Sequence, residues 1–296
     1  MSRPIAVAPE TRPAMYHAMC RAVSAGGGHL VPVSEADGLI WADPYRADLF
    51  PEVMAHADDL LWIQLPYAGI EPFLDHLDED HRWTNAKGVY APAVAETVMA
   101  LLLALAKNLH GYARERSWSG PEGRILVGSR ITILGGGGIT SHLLPLLAPW
   151  GCDVTVVRRS DTPVPGADRT ITGARLHEVL PLTDVLVLAL ALTAETTGII
   201  DGPELDALPD HAMLVNVARG GHVVTDALVE ALRGGRIGGA ALDVTDPEPL
   251  PDGHPLWSLP NCLITPHIGN TPEMGLKLLE PFVAENVRRF CDGEDL

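Results

Sequence analysis

Short apolar runs alternate with longer segments of helical composition along the first 90 residues. The runs are PIAVA, HLVPV, DGLIWA, LLWIQL and HRWTNA, and each has the length and composition of a strand. The segments of helical composition between them are 11–25, 45–58 and 70–80. This alternation predicts a small α/β unit.

A long helix is predicted next, roughly from Pro92 to Tyr112, with a proline in its first turn and Gly111 near its end. A second strand–helix series then begins at SRITILGGGGIT. Its predicted strands lie near 131–134, 153–157, 184–190, 212–217, 238–243 and 262–265. Six strands separated by helical segments predict a doubly wound parallel sheet, and a last helix at about 272–292 adds no strand.

Composition narrows the class of protein. Of the 296 residues 47% are hydrophobic, which is enough for a sizeable core, and the net charge of −17 argues against binding to nucleic acid. The four cysteines show no CxxC spacing. The longest apolar helical run, 97–106, is too short to cross a bilayer, and the first residues lack a signal-type apolar stretch. We therefore expect a cytoplasmic protein without a membrane partner.

Three polar side chains follow three successive apolar runs in the second half of the chain. Arg219 lies in NVARGG, Glu248 in ALDVTDPEPL and His267 in TPHIGN. Each of them alone is more simply a surface or turn residue. Residues just past the carboxyl ends of parallel strands line the ligand crevice of an open α/β sheet, so we expect the three to converge. A guanidinium that binds a carboxylate, an imidazole that carries a proton and a carboxylate that orients it are the groups needed to reduce a 2-keto acid.

The segment ITILGGGGIT joins a strand to a helix through four glycines, as in a dinucleotide-binding loop. Gly135 and Gly137 take the first two positions of the GxGxxG fingerprint, but Thr140 occupies the third. Gly138 and Ile139, at the start of the helix, would lie beside the pyrophosphate. A glycine-rich turn without a ligand is the simpler alternative.

The end of the next strand bears on which dinucleotide is bound. An NAD site has an acidic residue there, whereas this chain has Arg158, Arg159 and Ser160. Two guanidiniums and a hydroxyl suit a 2′-phosphate, so the sequence favours NADP(H), with NAD(H) as the alternative. A surface pair of arginines without a ligand is the competing explanation.

Over most of its length, and most densely from 92 to 272, the sequence resembles the D-isomer-specific 2-hydroxyacid dehydrogenases. This family includes glyoxylate/hydroxypyruvate reductases and phosphoglycerate dehydrogenase, and the resemblance is carried by NVARGG, LDVTDPEPL, HPLW and TPHIGN. It implies a Rossmann cofactor domain at 96–271 and a smaller, flavodoxin-like α/β substrate-binding domain made of 1–95 and 272–296. It also implies a homodimer formed through the region 92–120, which includes Trp118.

The same resemblance implies a role for each candidate residue. Arg219 would bind the carboxylate and keto oxygen of a small anionic 2-keto acid, which is interconverted with a D-2-hydroxy acid. His267 would protonate that oxygen while Glu248 holds the imidazole. Asp243 would meet the nicotinamide end of the cofactor. Further implied contacts are Leu190, Thr196 and Val217 to the cofactor, and the backbone of Ala68, Gly69 and Ile70 to the substrate carboxylate.

Three other functions compete with this interpretation. Formate dehydrogenases share the architecture but carry an amide where Glu248 stands. A corepressor-like protein that binds the dinucleotide with little or no turnover is favoured only by Thr140. A methyltransferase that uses S-adenosylmethionine would not explain Arg219, Glu248 and His267. No metal site is expected.

Overall fold

The structure, a computed structural model, describes residues 2–296 apart from the side chains of residues 272 and 273. The chain forms two compact units, Met1–Tyr90 with Thr271–Leu296 and Ala91–Asn270. The domain prediction placed the two changes between 95 and 96 and between 271 and 272. The first change lies earlier in the structure because the helix that begins at Ala91 belongs wholly to the second unit.

The first unit contains a parallel sheet of five short strands. They are β1 (Pro4–Ala8), β2 (His29–Leu30), β3 (Gly38–Trp41), β4 (Trp62–Gln64) and β5 (Arg82–Thr84). Their order is β2-β1-β3-β4-β5, which is the flavodoxin-like order. Helices α1 (Pro13–Ala25) and α2 (Phe50–Met54) connect strands, and the predicted helical segment at 70–80 forms the 3₁₀ helix Glu71–His76.

An aromatic cluster fills the core of this unit. The rings of Trp41 and Phe50 lie 5.2 Å apart between centroids, and Phe73 meets both edge-on at 5.9 and 5.8 Å. The last helix of the chain, α9 (Pro272–Asp292), packs against α1. A side chain at Gly26 would collide with the Ala284 carbonyl and with Val287, so the packing of these two helices requires glycine there.

The second unit is built on a parallel sheet of seven strands. They are β6 (Arg130–Leu134), β7 (Asp153–Arg158), β8 (Arg169–Thr172), β9 (Val185–Leu188), β10 (Met213–Asn216), β11 (Gly239–Leu242) and β12 (Cys262–Ile264), in the order β12-β11-β10-β9-β6-β7-β8. This is the doubly wound Rossmann order with one additional edge strand, so the predicted fold class is confirmed. The helices of this unit are α3 (Ala91–Ala106), α4 (Leu109–Tyr112), α5 (Gly138–Leu147), α6 (Leu176–Val179), α7 (Gly202–Ala207) and α8 (Thr225–Arg233).

The central strands of this sheet are buried on both faces. Val185 and Val187 pack into the core on one face, while Leu186 and Leu188 pack into the core on the other. A strand buried on both faces needs apolar residues at consecutive positions, which is why these strands appear in the sequence as continuous apolar runs.

Two elements differ from the prediction. The edge strand β8 was not predicted, because only Ile171 of its four residues is buried and the segment therefore has no apolar run. The prediction of one helix from Pro92 to Tyr112 is wrong. Helix α3 ends at Ala106, and Asn108 then adopts φ of 50°, a left-handed conformation that interrupts the helix before α4.

Membrane crossing is a matter of helix length and apolarity. Among the residues that the structure describes, no helix is both long enough and apolar enough to span a bilayer.

Candidate active site

Arg219 lies on a turn at the carboxyl end of β10, three residues after Asn216, the last residue of that strand. The side chain of the buried Asn216 shapes this turn, since its Oδ1 accepts from the Ala218 amide at 3.0 Å and its Nδ2 donates to the Arg219 carbonyl at 2.9 Å. Arg219 itself is extended and half-buried, and its Nη1 donates to the Ala218 carbonyl at 2.8 Å. A strand end and a side-chain hydrogen-bond network therefore fix the base of the arginine.

His267 lies on the turn that follows β12, and its φ of 53° is unusual for a residue other than glycine. The buried carboxylate of Asp243, at the end of β11, holds this turn. Its Oδ1 accepts from Thr265 Oγ1 at 2.5 Å and from the Ile268 amide at 2.8 Å, and its Oδ2 accepts from the Gly269 amide at 2.8 Å. The Asp243 carbonyl accepts from the His267 amide at 2.9 Å.

Asp243 was predicted as a cofactor contact. The structure gives it another task, because both of its carboxylate oxygens hold the turn that carries His267. The predicted contact with the nicotinamide end stays a prediction.

Glu248 and His267 are in direct contact. His267 Nδ1 lies 2.7 Å from Glu248 Oε1, and both side chains are partly exposed, at 49% and 42%. Because a carboxylate only accepts hydrogen bonds, Nδ1 is the donor in this pair. The pairing fixes the ring orientation and leaves Nε2 as the nitrogen for proton exchange with a ligand.

The three strands that carry these residues are neighbours in the sheet. Asn216 on β10 is in register with Leu242 on β11, which is in register with Ile264 on β12. Arg219, Asp243 and His267 therefore follow adjacent strands at one edge. The turns also pack closely, because a side chain at Gly220 would collide with the Thr245 carbonyl.

The glycine-rich loop connects β6 to α5 at the same edge of the sheet. Gly135 has φ of 109°, and a side chain there would collide with the Ala189 carbonyl, so this position requires glycine. The amides of Gly136, Gly137, Gly138 and Ile139 donate to no acceptor among the described residues. A row of amides at a helix N-terminus fits the pyrophosphate of a dinucleotide.

Thr140 takes the third position of the fingerprint without disturbing the loop. It is fully buried, and its Oγ1 donates to the Gly135 carbonyl at 2.6 Å. The Thr140 hydroxyl therefore has its hydrogen-bond partner within the loop. Helix α5 begins close by, at Gly138.

The arginines after β7 lie beside this loop. Arg158 Cδ would lie 3.1 Å from a Cβ placed on Gly136, so its half-buried side chain extends across the loop. Arg159 is exposed, and its positive charge adds to the hydrogen bond from Thr193 in lowering the pKa of Glu195. Ser160 Oγ donates to Thr162 Oγ1 at 3.3 Å. A cationic group next to the phosphate-binding loop fits a 2′-phosphate better than a free ribose.

The segment between β9 and α7 carries Leu190 and Thr196, and Val217 lies buried just after β10. Sequence reasoning missed His222, a fully buried histidine that joins this segment to the arginine turn. Its Nδ1 lies 2.9 Å from the Thr196 carbonyl and its Nε2 lies 3.2 Å from the Leu190 carbonyl. His222 directly follows the motif NVARGG, which marked this region as functional. No spacing in the sequence, however, indicates that its side chain bonds to Thr196 and Leu190.

The predicted substrate loop lies in the first unit, after β4. The amides of Ala68, Gly69 and Ile70 donate to no acceptor within the described part of the chain. Three such amides in succession fit a carboxylate, which takes several N–H donors.

Neither a metal centre nor a disulfide is seen at these positions. No group of three His, Cys, Asp or Glu side chains in the described residues is arranged to hold a metal ion. All four cysteines are free thiols, and burial raises the pKa of Cys262 to about 12, which keeps it protonated.

Comparison with known proteins identifies the family. Residues 99–269 match the model of the NAD binding domain of the D-isomer specific 2-hydroxyacid dehydrogenases. A protein of Corynebacterium melassecola, named "Uncharacterized protein in proB 3'region", is 39% identical over 288 residues, which cover 93% of this chain and 92% of that protein. The chain belongs to the D-isomer specific 2-hydroxyacid dehydrogenase family. It carries the nicotinamide dinucleotide-binding domain of this family of oxidoreductases.

Other members of the family match over different lengths. Glyoxylate/hydroxypyruvate reductase A of Enterobacter sp. (strain 638) is 43% identical over 138 residues, which cover 47% of this chain and 44% of the reductase. The match thus spans about half the length of that reductase.

Several solved structures match the whole chain. A family member from Aeromonas salmonicida has a TM-score of 0.84 at 29% identity, and the match covers all of this chain and 98% of that one. A family member from Xanthobacter autotrophicus Py2 was solved in complex with NADPH and MES. It has a TM-score of 0.81 at 26% identity, and the match covers all of this chain and 97% of that one.

Proposed function

We propose that this dehydrogenase reduces small 2-keto acids to D-2-hydroxy acids with NADP(H). The observation that carries the proposal is the 2.7 Å contact between His267 and Glu248, on a turn next to the one that carries Arg219. A protein that only binds a dinucleotide has no need for a histidine oriented by a carboxylate. Membership of an oxidoreductase family supports the same conclusion.

Each of the three residues has a part in the reduction. Arg219 binds the carboxylate and keto oxygen through its planar fork of N–H groups. His267 donates the proton on Nε2 to the keto oxygen as the carbonyl carbon is reduced. Glu248 holds the ring through Nδ1. The bound dinucleotide supplies the hydride, so the keto acid gains one hydride and one proton to become the hydroxy acid.

The preference for NADP(H) rests on Arg158 and on the lack of an acidic residue at the end of β7. The proposed cofactor contacts are Gly135, Gly137, Gly138, Ile139, Arg158, Arg159, Ser160, Leu190, Thr196, Val217 and Asp243. The NADPH complex of the Xanthobacter relative supports this choice. NAD(H) is the alternative.

The binding-only alternative loses its one argument in the structure. Thr140 favoured a corepressor-like protein because it breaks the glycine fingerprint, but its hydroxyl fits into the loop and bonds to Gly135. The chain belongs to a family of oxidoreductases. We propose that the amides of Ala68, Gly69 and Ile70 provide a contact for the substrate carboxylate.

The test is to follow the absorbance of NADPH and of NADH with a panel of small 2-keto acids, and to determine the configuration of the product. We expect NADPH to be consumed faster than NADH and the product to be a D-2-hydroxy acid. Calorimetric titration with NADPH runs alongside. Tight binding of NADPH without turnover of any keto acid would favour the corepressor-like alternative, and turnover that yields an L-product would contradict the proposal.

We also propose that the protein works as a homodimer in the cytoplasm. Four large apolar side chains between residues 109 and 127 are exposed, namely Leu109, Trp118, Ile125 and Val127. Of these, Trp118 is fully exposed. Such a concentration of exposed apolar surface is typical of an interface. Light scattering after size-exclusion chromatography should give twice the mass of 31.6 kDa, and a monomer at micromolar concentration would contradict the proposal.

A further inference from the structure

The carboxyl ends of three adjacent strands in the first unit bring an arginine and two tyrosines together. Strands β1, β3 and β4 are neighbours in the sheet, and Arg12, Tyr45 and Tyr67 lie in the segments that follow them. The Arg12 guanidinium carbon lies 5.0 Å from the centre of the Tyr45 ring. The Tyr45 and Tyr67 rings meet edge-on with centroids 6.5 Å apart.

The Arg12 guanidinium lacks a negative partner. Its Nη1 is buried and has no hydrogen-bond acceptor, and no carboxylate among the described residues forms an ion pair with Arg12. The nearby carboxylate of Asp43 is already engaged, since it accepts from Thr11 Oγ1 at 2.8 Å and from the Tyr45 amide at 3.0 Å. In a chain with a net charge of −17, a half-buried cation without a carboxylate partner is an exception that needs a reason.

The cluster is accessible and chemically suited to an anion. Tyr45 is 73% exposed and its ring lies against the half-buried guanidinium, so the cluster borders the solvent. Burial and the neighbouring Tyr45 raise the pKa of Tyr67, while the charge of Arg12 and a hydrogen bond between Arg12 and Tyr67 act in the opposite direction. One guanidinium and two neutral phenols balance a single negative charge, as on a carboxylate.

The cluster adjoins the proposed substrate loop. Tyr67 directly precedes Ala68, the first of the three amides that have no intramolecular acceptor. Two anion-binding features thus lie side by side in one unit, three amides and one guanidinium. A 2-keto acid with a single carboxylate needs only one of them.

We propose that Arg12, with Tyr45 and Tyr67, is a subsite for a second carboxylate of the substrate, so that the enzyme prefers 2-keto dicarboxylic acids. This inference rests on the proposed function, because it assigns the far end of the same substrate. Arg12 forks onto the distal carboxylate, and the two phenol hydroxyls donate to its remaining lone pairs.

The test compares two five-carbon keto acids that differ only at the far end, 2-oxoglutarate with a carboxylate and 2-oxopentanoate with a methyl group. The wild-type protein should have a higher kcat/KM for 2-oxoglutarate. Arg12→Leu should lower that value about ten- to a hundredfold, mainly through KM, while 2-oxopentanoate changes about twofold or less. Arg12→Lys should restore part of the loss, since an ammonium keeps the charge but not the fork.

The matched control is Arg46→Leu. Arg46 lies next to Tyr45, but its guanidinium already makes two hydrogen bonds of 2.9 Å to Asp48, so its removal should leave the ratio of the two kcat/KM values unchanged. Thermal melting of both variants checks the fold. Arg12→Leu loses the contacts of the guanidinium with the Tyr45 ring and with Tyr67, which should lower the melting temperature only slightly. A large loss of stability with equal effects on both keto acids would show a structural role instead.

The outcomes separate this inference from the proposed function. If the wild-type protein reduces 2-oxopentanoate as well as it reduces 2-oxoglutarate, the subsite is refuted and the proposed function stands. If it reduces neither, the proposed function fails for these acids, and calorimetry with glutarate and pentanoate in the presence of NADP⁺ decides the subsite. Equal binding of glutarate by the wild-type protein and by Arg12→Leu would then refute it.

Discussion

At residue 267 the backbone takes φ of 53°, and several hydrogen bonds to Asp243 hold it there. A residue in this region is tolerated when its surroundings fix it, and such residues concentrate at functional sites. The consequence is a histidine whose backbone and ring are both held, the backbone by Asp243 and the ring by Glu248. This is the arrangement that proton transfer to a bound ligand requires.

The role of Glu248 can be tested by removing its charge. The carboxylate orients the His267 ring through a hydrogen bond from Nδ1. We expect Glu248→Gln to lower kcat/KM for reduction about ten- to a hundredfold, because a neutral amide oxygen accepts a weaker hydrogen bond than a carboxylate and holds the ring less firmly. Asp246→Asn, which removes an exposed acid two residues away, is the control and should leave kcat/KM unchanged. Equal kcat/KM values for wild type and Glu248→Gln would contradict the pairing.

The role of Arg219 can be tested by shortening its side chain. Arg219→Ala removes the two charge-assisted hydrogen bonds that we propose for the substrate carboxylate, so we expect kcat/KM to fall on the order of 10²- to 10⁴-fold. Arg219→Lys should recover only part of this, because an ammonium cannot fork. The melting temperature should change little. Arg233→Ala, at the exposed end of α8, serves as the control, and wild-type turnover in Arg219→Ala would remove this residue from the mechanism.

At the scale of elements, the turns after β9 and β10 are joined by one buried side chain. Both ring nitrogens of His222 face backbone carbonyls, which only accept hydrogen bonds. A neutral imidazole carries one N–H, so only the protonated ring can donate to both carbonyls at once. In either form His222 ties the segment with Leu190 and Thr196 to the turn of Arg219.

Replacing His222 with leucine removes the ring contact of the Leu190 carbonyl and leaves the Thr196 carbonyl with only the Ile199 amide at 3.4 Å. We expect a loss of about 1–3 kcal/mol in the free energy of unfolding and a higher KM for NADPH with little change in the KM for the keto acid. His222→Gln, whose amide has two N–H groups, should restore part of both. Thr197→Ala, in the same segment but exposed, is the control. If the KM values for NADPH and keto acid rise equally, His222 does not act through the cofactor segment.

The end of β7 is the element that should decide between the two cofactors. We expect the wild-type protein to bind NADPH more tightly than NADH, and Arg158→Asp to reverse this, with a change in the ratio of the two Kd values of roughly ten- to a thousandfold. Arg169→Asp at the opposite end of the neighbouring strand changes the net charge equally and should leave the ratio unchanged. Calorimetry decides it, and equal affinity of the wild-type protein for both cofactors would show that Arg158 faces solvent.

At the scale of the whole second unit, the carboxyl and amino edges of the sheet have different roles. The carboxyl edge carries the candidate active site. At the amino edge, Asp184 precedes β9 and joins two neighbouring strands, because it accepts from the Arg130 amide at 2.8 Å, from Arg130 Nη2 at 2.9 Å and from His211 Nε2 at 2.9 Å. Burial raises the pKa of Asp184, but these hydrogen bonds lower it by more, so the pKa lies well below the usual value.

This network predicts how stability depends on pH. A carboxyl group whose pKa is lower in the folded state stabilises the protein above its unfolded pKa of 3.8, and this contribution is lost as the pH falls through the folded value. We expect Asp184→Asn to cost about 1–2 kcal/mol of unfolding free energy at neutral pH, limited by solvent screening, and nothing in strong acid. Glu178→Gln, which removes an exposed partner of Arg175, is the control. A cost that does not change between pH 7 and acid would contradict the prediction.

Several features were determined by local sequence. Strands buried on both faces, such as β9 and β10, need consecutive apolar residues, so they appear directly as runs. The positions of Arg219 and His267 follow from the strands that precede them, because parallel strands end at one edge. Chemistry that depends on residue type and on strand ends can therefore be predicted from the sequence, and the family that these motifs indicated is confirmed.

Other features were decided only by tertiary structure. The edge strand β8 has no apolar run, and the helix break at Asn108 has no glycine or proline, so neither leaves a local signal. The hydrogen bonds of Asp243 to the His267 turn, the two carbonyl partners of His222 and the cluster around Arg12 join residues far apart in the chain. Their partners are set by how strands and turns pack in three dimensions, and residues that meet across such distances share no periodicity or spacing that a single sequence displays.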